Sequence, residues 1–159
     1  MPQKNKNEDG LKRTINDVEI TDPLVLECGE TLTKHEIIYE TYGELNESRS
    51  NAVLICHALS GNHHAAGLNE DGVSGWWDNY IGPGKPIDTN LFHVISITNI
   101  GSCFGSTGPA TINTATGKFW GASFPALEVS DWVKSQKMLM DVFKIKTWLA
   151  VIGGSLGGM

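Results

Sequence analysis

Apolar residues fall along this chain in short continuous runs, separated by long polar stretches rich in glycine. Residues 52–57, Ala-Val-Leu-Ile-Cys-His, and residues 91–98 are such runs. Continuous apolar character over five to eight residues predicts strands buried on both faces, as in a parallel sheet. Residues 23–28 and 35–42 predict two earlier strands, closed by Gly29 and Gly43 and paired as an antiparallel hairpin. Residues 46–51 form a polar turn, and residues 147–152 predict a last strand. Helical periodicity appears over residues 130–143. There Trp132, Val133, Gln136, Leu139, Met140 and Phe143 share one face, with Ser130 as N-cap and Asp131 in the first turn. Strand, helix and strand from residue 91 to 152 then make a βαβ unit.

Two connections, 58–90 and 99–129, show no periodicity and hold much of the glycine. Both follow the C-terminal ends of predicted parallel strands, the edge at which open α/β sheets place their sites. Residues 1–16 carry almost no apolar side chains and are expected to be a disordered tail. Residues 17–159 are then expected to be one α/β domain.

Composition narrows the function classes. A chain of 159 residues, 40% hydrophobic and 19% charged, is ordinary for a globular protein. A net charge of −6 without a basic stripe argues against nucleic acid as a partner. No apolar run has the length to span a bilayer, and residues 1–13 lack a signal-peptide core, so a cytoplasmic protein is expected. Cys28, Cys56 and Cys103 are odd in number and far apart, which predicts neither a disulfide framework nor a zinc site. His63 and His64 are adjacent, but no third ligand stands at metal spacing, so no metal is expected.

The candidate chemistry lies at the end of the chain. The run Leu149-Ala150-Val151-Ile152 leads straight into Gly153-Gly154-Ser155-Leu156-Gly157. An apolar strand followed by Gly-x-Ser-x-Gly is the pattern of a nucleophile elbow, a sharp turn that exposes the serine hydroxyl. The flanking glycines are expected where backbone packs on backbone. A glycine-rich turn that holds a phosphate on its N–H groups fits the same local pattern. A P-loop does not, because no lysine follows the glycines. On the elbow reading Ser155 is the nucleophile. The oxyanion hole is then the backbone N–H of Leu156, after the nucleophile, with that of Leu59 or its neighbour Ala58, after the strand at 52–57. His57 is expected to be structural, since this fold orders its triad as serine, acid, histidine.

Several blocks resemble the homoserine O-acyltransferases of methionine biosynthesis. They are Tyr39-Glu40-Thr41-Tyr42-Gly43-Glu44-Leu45-Asn46, Cys56-His57-Ala58-Leu59-Ser60-Gly61, Gly75-Trp76-Trp77-Asp78, and residues 81–89, 99–109, 113–117 and 153–159. The resemblance implies the N-terminal part of an α/β-hydrolase fold: an antiparallel first hairpin, then parallel strands up to the elbow. It implies an acyl-CoA co-substrate with no bound cofactor, L-homoserine as acceptor, and a homodimeric parent enzyme. The expected reaction is ping-pong through an acyl-Ser155. Residues 60–67 look more like the succinyl-using members than the acetyl-using ones. Members of the family are more than twice this long, and their triad aspartate and histidine follow the elbow. The 159 residues are therefore expected to be an inactive fragment of the enzyme. A serine esterase of the same fold, or a non-catalytic module, is the alternative.

Overall fold

The computed structural model describes residues 4–6 and 10–159. Twelve strands follow in order: β1 (Lys4–Lys6), β2 (Lys12–Ile20), β3 (Leu24–Val25), β4 (Thr31–Leu32), β5 (His35–Tyr42), β6 (Ala52–Cys56), β7 (Ile81–Gly82), β8 (Ile87–Asp88), β9 (His93–Ile97), β10 (Ile112–Asn113), β11 (Lys118–Phe119) and β12 (Ala150–Gly153). One α-helix, α1 (Val129–Val142), precedes β12. The described residues group into two compact units. One holds the chain up to Asn16 with Tyr39–Ile97 and Lys144–Met159; the other holds Asp17–Ile38 and Thr98–Phe143.

The main sheet has the order β1-β2-β5-β9-β6-β12. Its centre is parallel: Ala52 stands beside His93 and Ile55 beside Ser96, while Ala150 stands beside Val53 and Gly153 beside Cys56. β5 runs antiparallel to β9, Tyr39 facing Ile97. Every residue of β6 and of β9 is buried, as expected for strands covered on both faces. Leu11, Tyr42, Val53, Ile55, Ala65, Ala66, Ile81 and Val94 form the core of the first unit, and Trp77, Ala150 and Ile152 pack against it. This is the N-terminal part of an α/β-hydrolase sheet.

Several expectations are corrected. The tail predicted for 1–16 is strand in part: β2 starts at Lys12, and Lys4–Lys6 pairs with Lys12–Thr14. For residues 1–3 and 7–9 that expectation lies outside the described residues. A ladder is made of backbone bonds and needs few apolar side chains. Here Leu11 enters the core, and the buried Arg13 donates to the Leu68 carbonyl at 2.7 Å.

The early hairpin is drawn differently too. Leu24–Val25 pairs antiparallel with Thr31–Leu32, while β5 joins the main sheet between β2 and β9. The two long connections hold short elements as well, the parallel pair β7–β8 and the hairpin β10–β11.

In the second unit, α1 begins at Val129, and its cap is Glu128, two residues before the expected Ser130. Its buried face is rotated from the apolar stripe. Val133 is 57% exposed, whereas Asp131, Ser135, Gln136 and Leu139 are buried. Asp131, Ser135 and Gln136 each have a partner. Asp131 accepts the N–H groups of Glu27 and Glu128 at 3.0 Å each, Ser135 meets His35 Nε2 at 3.2 Å, and Gln136 donates to Asn99 at 3.2 Å. Burying a polar group with its hydrogen bond made costs little. Leu24, Leu26, Leu32 and Ile100 form the apolar core here, with Trp132 and Met138 packed against it.

Candidate active site

β12 ends at Gly153, and the chain turns at once into a single 3-10 turn, Ser155–Gly158. Ser155 stands at the corner, exposed, with φ of +56°. A non-glycine residue in the left-handed region is strained by about 1–2 kcal/mol. The glycines on either side explain how so sharp a corner closes. A Cβ on Gly153 would run into the carbonyl of Gly157. A Cβ on Gly157 would run into Cys56 and stand 2.6 Å from the carbonyl oxygen of His57. Gly154 is different: the nearest atom to its missing Cβ is Cζ2 of Trp77, at 4.0 Å.

The corner therefore rests on the end of β6. Register does the rest. Gly153 lies beside Cys56 in a parallel pair, so both strands release their chains at the same sheet edge. From β6 comes His57-Ala58-Leu59-Ser60-Gly61, and from β12 comes Gly154-Ser155-Leu156. The first segment is folded by a tight turn, Gly61 N–H donating to the Ala58 carbonyl at 2.9 Å. Leu59 is 80% exposed on that turn, and Leu156 is half-buried in the turn after Ser155.

His57, His93, His35 and His64 each commit a ring nitrogen to a neighbour. His57 Nδ1 bonds the Ala58 carbonyl at 2.6 Å, and burial lowers its pKa. His93 Nδ1 faces the Gly43 carbonyl at 3.3 Å, again with a pKa lowered by burial. His35, in the second unit, meets Ser135, and burial takes it down to about 4. His64 pairs with Glu40 at 3.2 Å, and that hydrogen bond raises its pKa. His63 is lowered by burial.

Among the described residues no group of three or more histidine, cysteine or carboxylate side chains is arranged to hold a metal. Also among the described residues, the three cysteines are free thiols, and no helix is long and apolar enough to cross a membrane. Sequence reasoning passed over Glu40 and Tyr42, both fully buried. Nothing in the hydrophobic pattern marks them; only the structure shows that the last four residues of β5 are all buried.

No family model matches the chain. Curated relatives do. The homoserine O-succinyltransferase of Cellvibrio japonicus is 61% identical over 144 residues, which are 89% of this chain and 38% of the relative. That of Hahella chejuensis is 65% identical over 139 residues, 86% of this chain and 36% of the relative. Over the residues it spans, the chain is similar to proteins named homoserine O-succinyltransferase. Solved structures of the family and of its fold superpose well on the chain. A homoserine O-acetyltransferase from Bacillus anthracis has a TM-score of 0.82 at 38% identity, over 92% of this chain and 40% of that one. Esterase E22 has a TM-score of 0.82 at 37% identity, over 92% of this chain and 41% of that one. The chain thus spans well under half the length of the family members and fold neighbours it matches.

Proposed function

We propose that the protein carrying this stretch transfers an acyl group from an acyl-CoA, succinyl-CoA by preference, to the hydroxyl of L-homoserine. The observation that carries the reading is identity of 61–65% with proteins named homoserine O-succinyltransferase over most of the chain. Ser155 is the nucleophile. Its Oγ attacks the thioester carbonyl, the carbon–sulfur bond breaks, and the thiolate leaves with a proton as free coenzyme A. The homoserine hydroxyl then attacks the acyl-serine, and the serine oxygen takes the proton back. The negative oxygen of each tetrahedral intermediate is held by the N–H groups of Leu59 and Leu156, two donors that need no reorganisation at the moment of reaction. The reading requires a base that takes the serine proton and an aspartate that orients it, supplied by the part of the relatives' length that this chain does not span. The working enzyme is a cytoplasmic homodimer.

Esterase E22 matches the fold as well as the acetyltransferase does, and it supports a second reading in which water replaces homoserine. Free thiol released by the complete enzyme, with and without L-homoserine, separates the two. Release that depends on homoserine is expected; release that ignores it means hydrolysis. Succinyl-CoA and acetyl-CoA run side by side decide the donor, with succinyl-CoA expected to have the higher kcat/KM.

A further inference from the structure

The segment that leaves β6 is tied down by a buried polar cluster in the same unit. Glu40 is 1% exposed and Tyr42 is 0% exposed, two residues apart on β5. The Tyr42 hydroxyl accepts the backbone N–H groups of Ala65 at 2.9 Å and Ala66 at 3.0 Å. It donates its own proton to the Glu40 carboxylate. Burial, with Glu40 beside it, raises the Tyr42 pKa well above the usual value, so it stays a phenol and keeps that proton to give. Glu40 also faces His64 Nδ1 at 3.2 Å, and His64 Nε2 faces the Val73 carbonyl at 3.0 Å. Both ring nitrogens thus meet acceptors, an arrangement that the imidazolium satisfies in full.

The ties continue toward the tip of the segment. His64 N–H donates to the Asn62 side chain at 2.9 Å, and the Trp76 indole N–H donates to the Asn62 carbonyl at 3.0 Å. Gly61 N–H then closes the turn onto Ala58. From residue 58 to 66 every second or third position is held, and Leu59 lies inside the last turn. One hydroxyl serves two N–H groups and a carboxylate at once, which neither phenylalanine nor an aliphatic side chain can do.

We propose that Glu40 and Tyr42 are positioning residues: acting through Ala65, Ala66 and His64, they hold the 58–66 segment so that the Leu59 N–H stands at the elbow, ready for the oxyanion. The proposal rests on the assignment of Ser155 and Leu59 made above. A displaced oxyanion donor slows acylation without changing how the acyl-CoA binds.

The test uses the complete enzyme, with thiol release in the first turnover, KM for succinyl-CoA, and amide exchange over residues 58–66. Tyr42→Phe is expected to slow acylation by about tenfold or more, to leave KM within about threefold, and to speed exchange in that segment. Acylation within about twofold of wild type with unchanged exchange overturns the proposal. Ser155→Ala run in parallel tests the underlying assignment by itself. If that variant still acylates, the nucleophile is wrong whatever Tyr42 does. Should Tyr42→Phe not fold, Glu40→Gln decides. It keeps an acceptor for the Tyr42 hydroxyl but removes the charge facing His64. The charged and titratable groups around His64 are Glu40, Arg13, His63 and Asp78, so the wild-type clamp is firmest with His64 protonated. Wild-type acylation is expected to carry a component that falls with pH above about 6.5, and Glu40→Gln to lose that component. An identical profile in the two proteins counts against the proposal.

Discussion

The carbonyl of Gly157 occupies the space that a side chain on Gly153 would need. Four residues of chain thus fold back until backbone touches backbone, and the same Gly157 presses on the end of β6. Gly153→Ala should destabilise the protein by about 2 kcal/mol or more, because backbone cannot yield as a side chain does. Gly154→Ala is the control, since only Trp77 comes near, at 4.0 Å. It should cost no more than about 0.5 kcal/mol. Urea midpoints of the complete protein measure both, and equal losses would show that the corner is not held by this contact.

Ser155 carries backbone strain at the residue proposed as the nucleophile. Replacing it with glycine, which takes a φ of +56° freely, should raise stability by up to about 1 kcal/mol. The same change should abolish formation of the acyl-enzyme, a loss on the order of a thousandfold or more in turnover. Mass spectrometry after mixing with succinyl-CoA reads the second effect and thermal melts the first. A variant that is both less stable and still acylated would contradict the assignment of strain and role to one residue.

His64 and the other histidines pull stability in opposite directions with pH. Glu40 raises the His64 pKa above 6.5, so its contribution is full below that value and is lost as pH rises through the folded pKa. Burial lowers His35, His57, His63 and His93, so theirs grows as pH rises toward 6.5. The wild-type Tm minus that of His64→Gln should therefore shrink between about pH 5.5 and about pH 8.5, roughly one unit below and two units above the ordinary histidine pKa. A difference that is flat or grows would mean that His64 is neutral in the folded protein.

Asp131 is completely buried, yet its pKa is lowered. Burial pushes the carboxyl up, but the N–H groups of Glu128 and Glu27 and the Lys134 ammonium together outweigh it. Its contribution is present above the ordinary aspartate value and is lost as pH falls through the lower folded one. Asp131→Ala removes the bond to the helix N-terminus and the bond to Glu27, and should cost about 1–3 kcal/mol. Thermal melts from pH 3 to 7 check the sign and the size. Asp131→Asn, which keeps one acceptor, should lose less.

The 159 residues alone should give no turnover with any acyl-CoA. β12 lies at the edge of the described sheet, with Leu149 and Val151 more than half exposed. An apolar edge strand is a template for pairing with other chains, so the isolated chain should self-associate. Light scattering and a thermal melt test this; a monomer with a sharp transition would show that the edge is tolerated.

The fold was legible where physics is local. β6 and β9 are continuous apolar runs because both faces of each are covered, and the run before Gly-x-Ser-x-Gly marks a strand that must turn sharply. The need for Gly153 and Gly157 follows from the same pattern, although the contacts they make do not. β2 was not legible, since its ladder is built from backbone groups and its exposed positions carry polar side chains. The buried face of α1 was hidden for a related reason. Asp131, Ser135 and Gln136 look like solvent-facing residues until Glu27, His35 and Asn99 arrive from distant parts of the chain to satisfy them. Glu40 and Tyr42 belong with these. A carboxylate and a phenol in a strand say nothing by themselves; their meaning depends on the N–H groups of Ala65 and Ala66, more than twenty residues away. Hydrophobic pattern and turn chemistry are written in neighbouring residues, so the sequence alone determined β6, β9, β12 and the sharp turn that follows β12. Buried polar groups are stable only with partners that the fold brings from afar, so the tertiary structure alone decided what they hold in place.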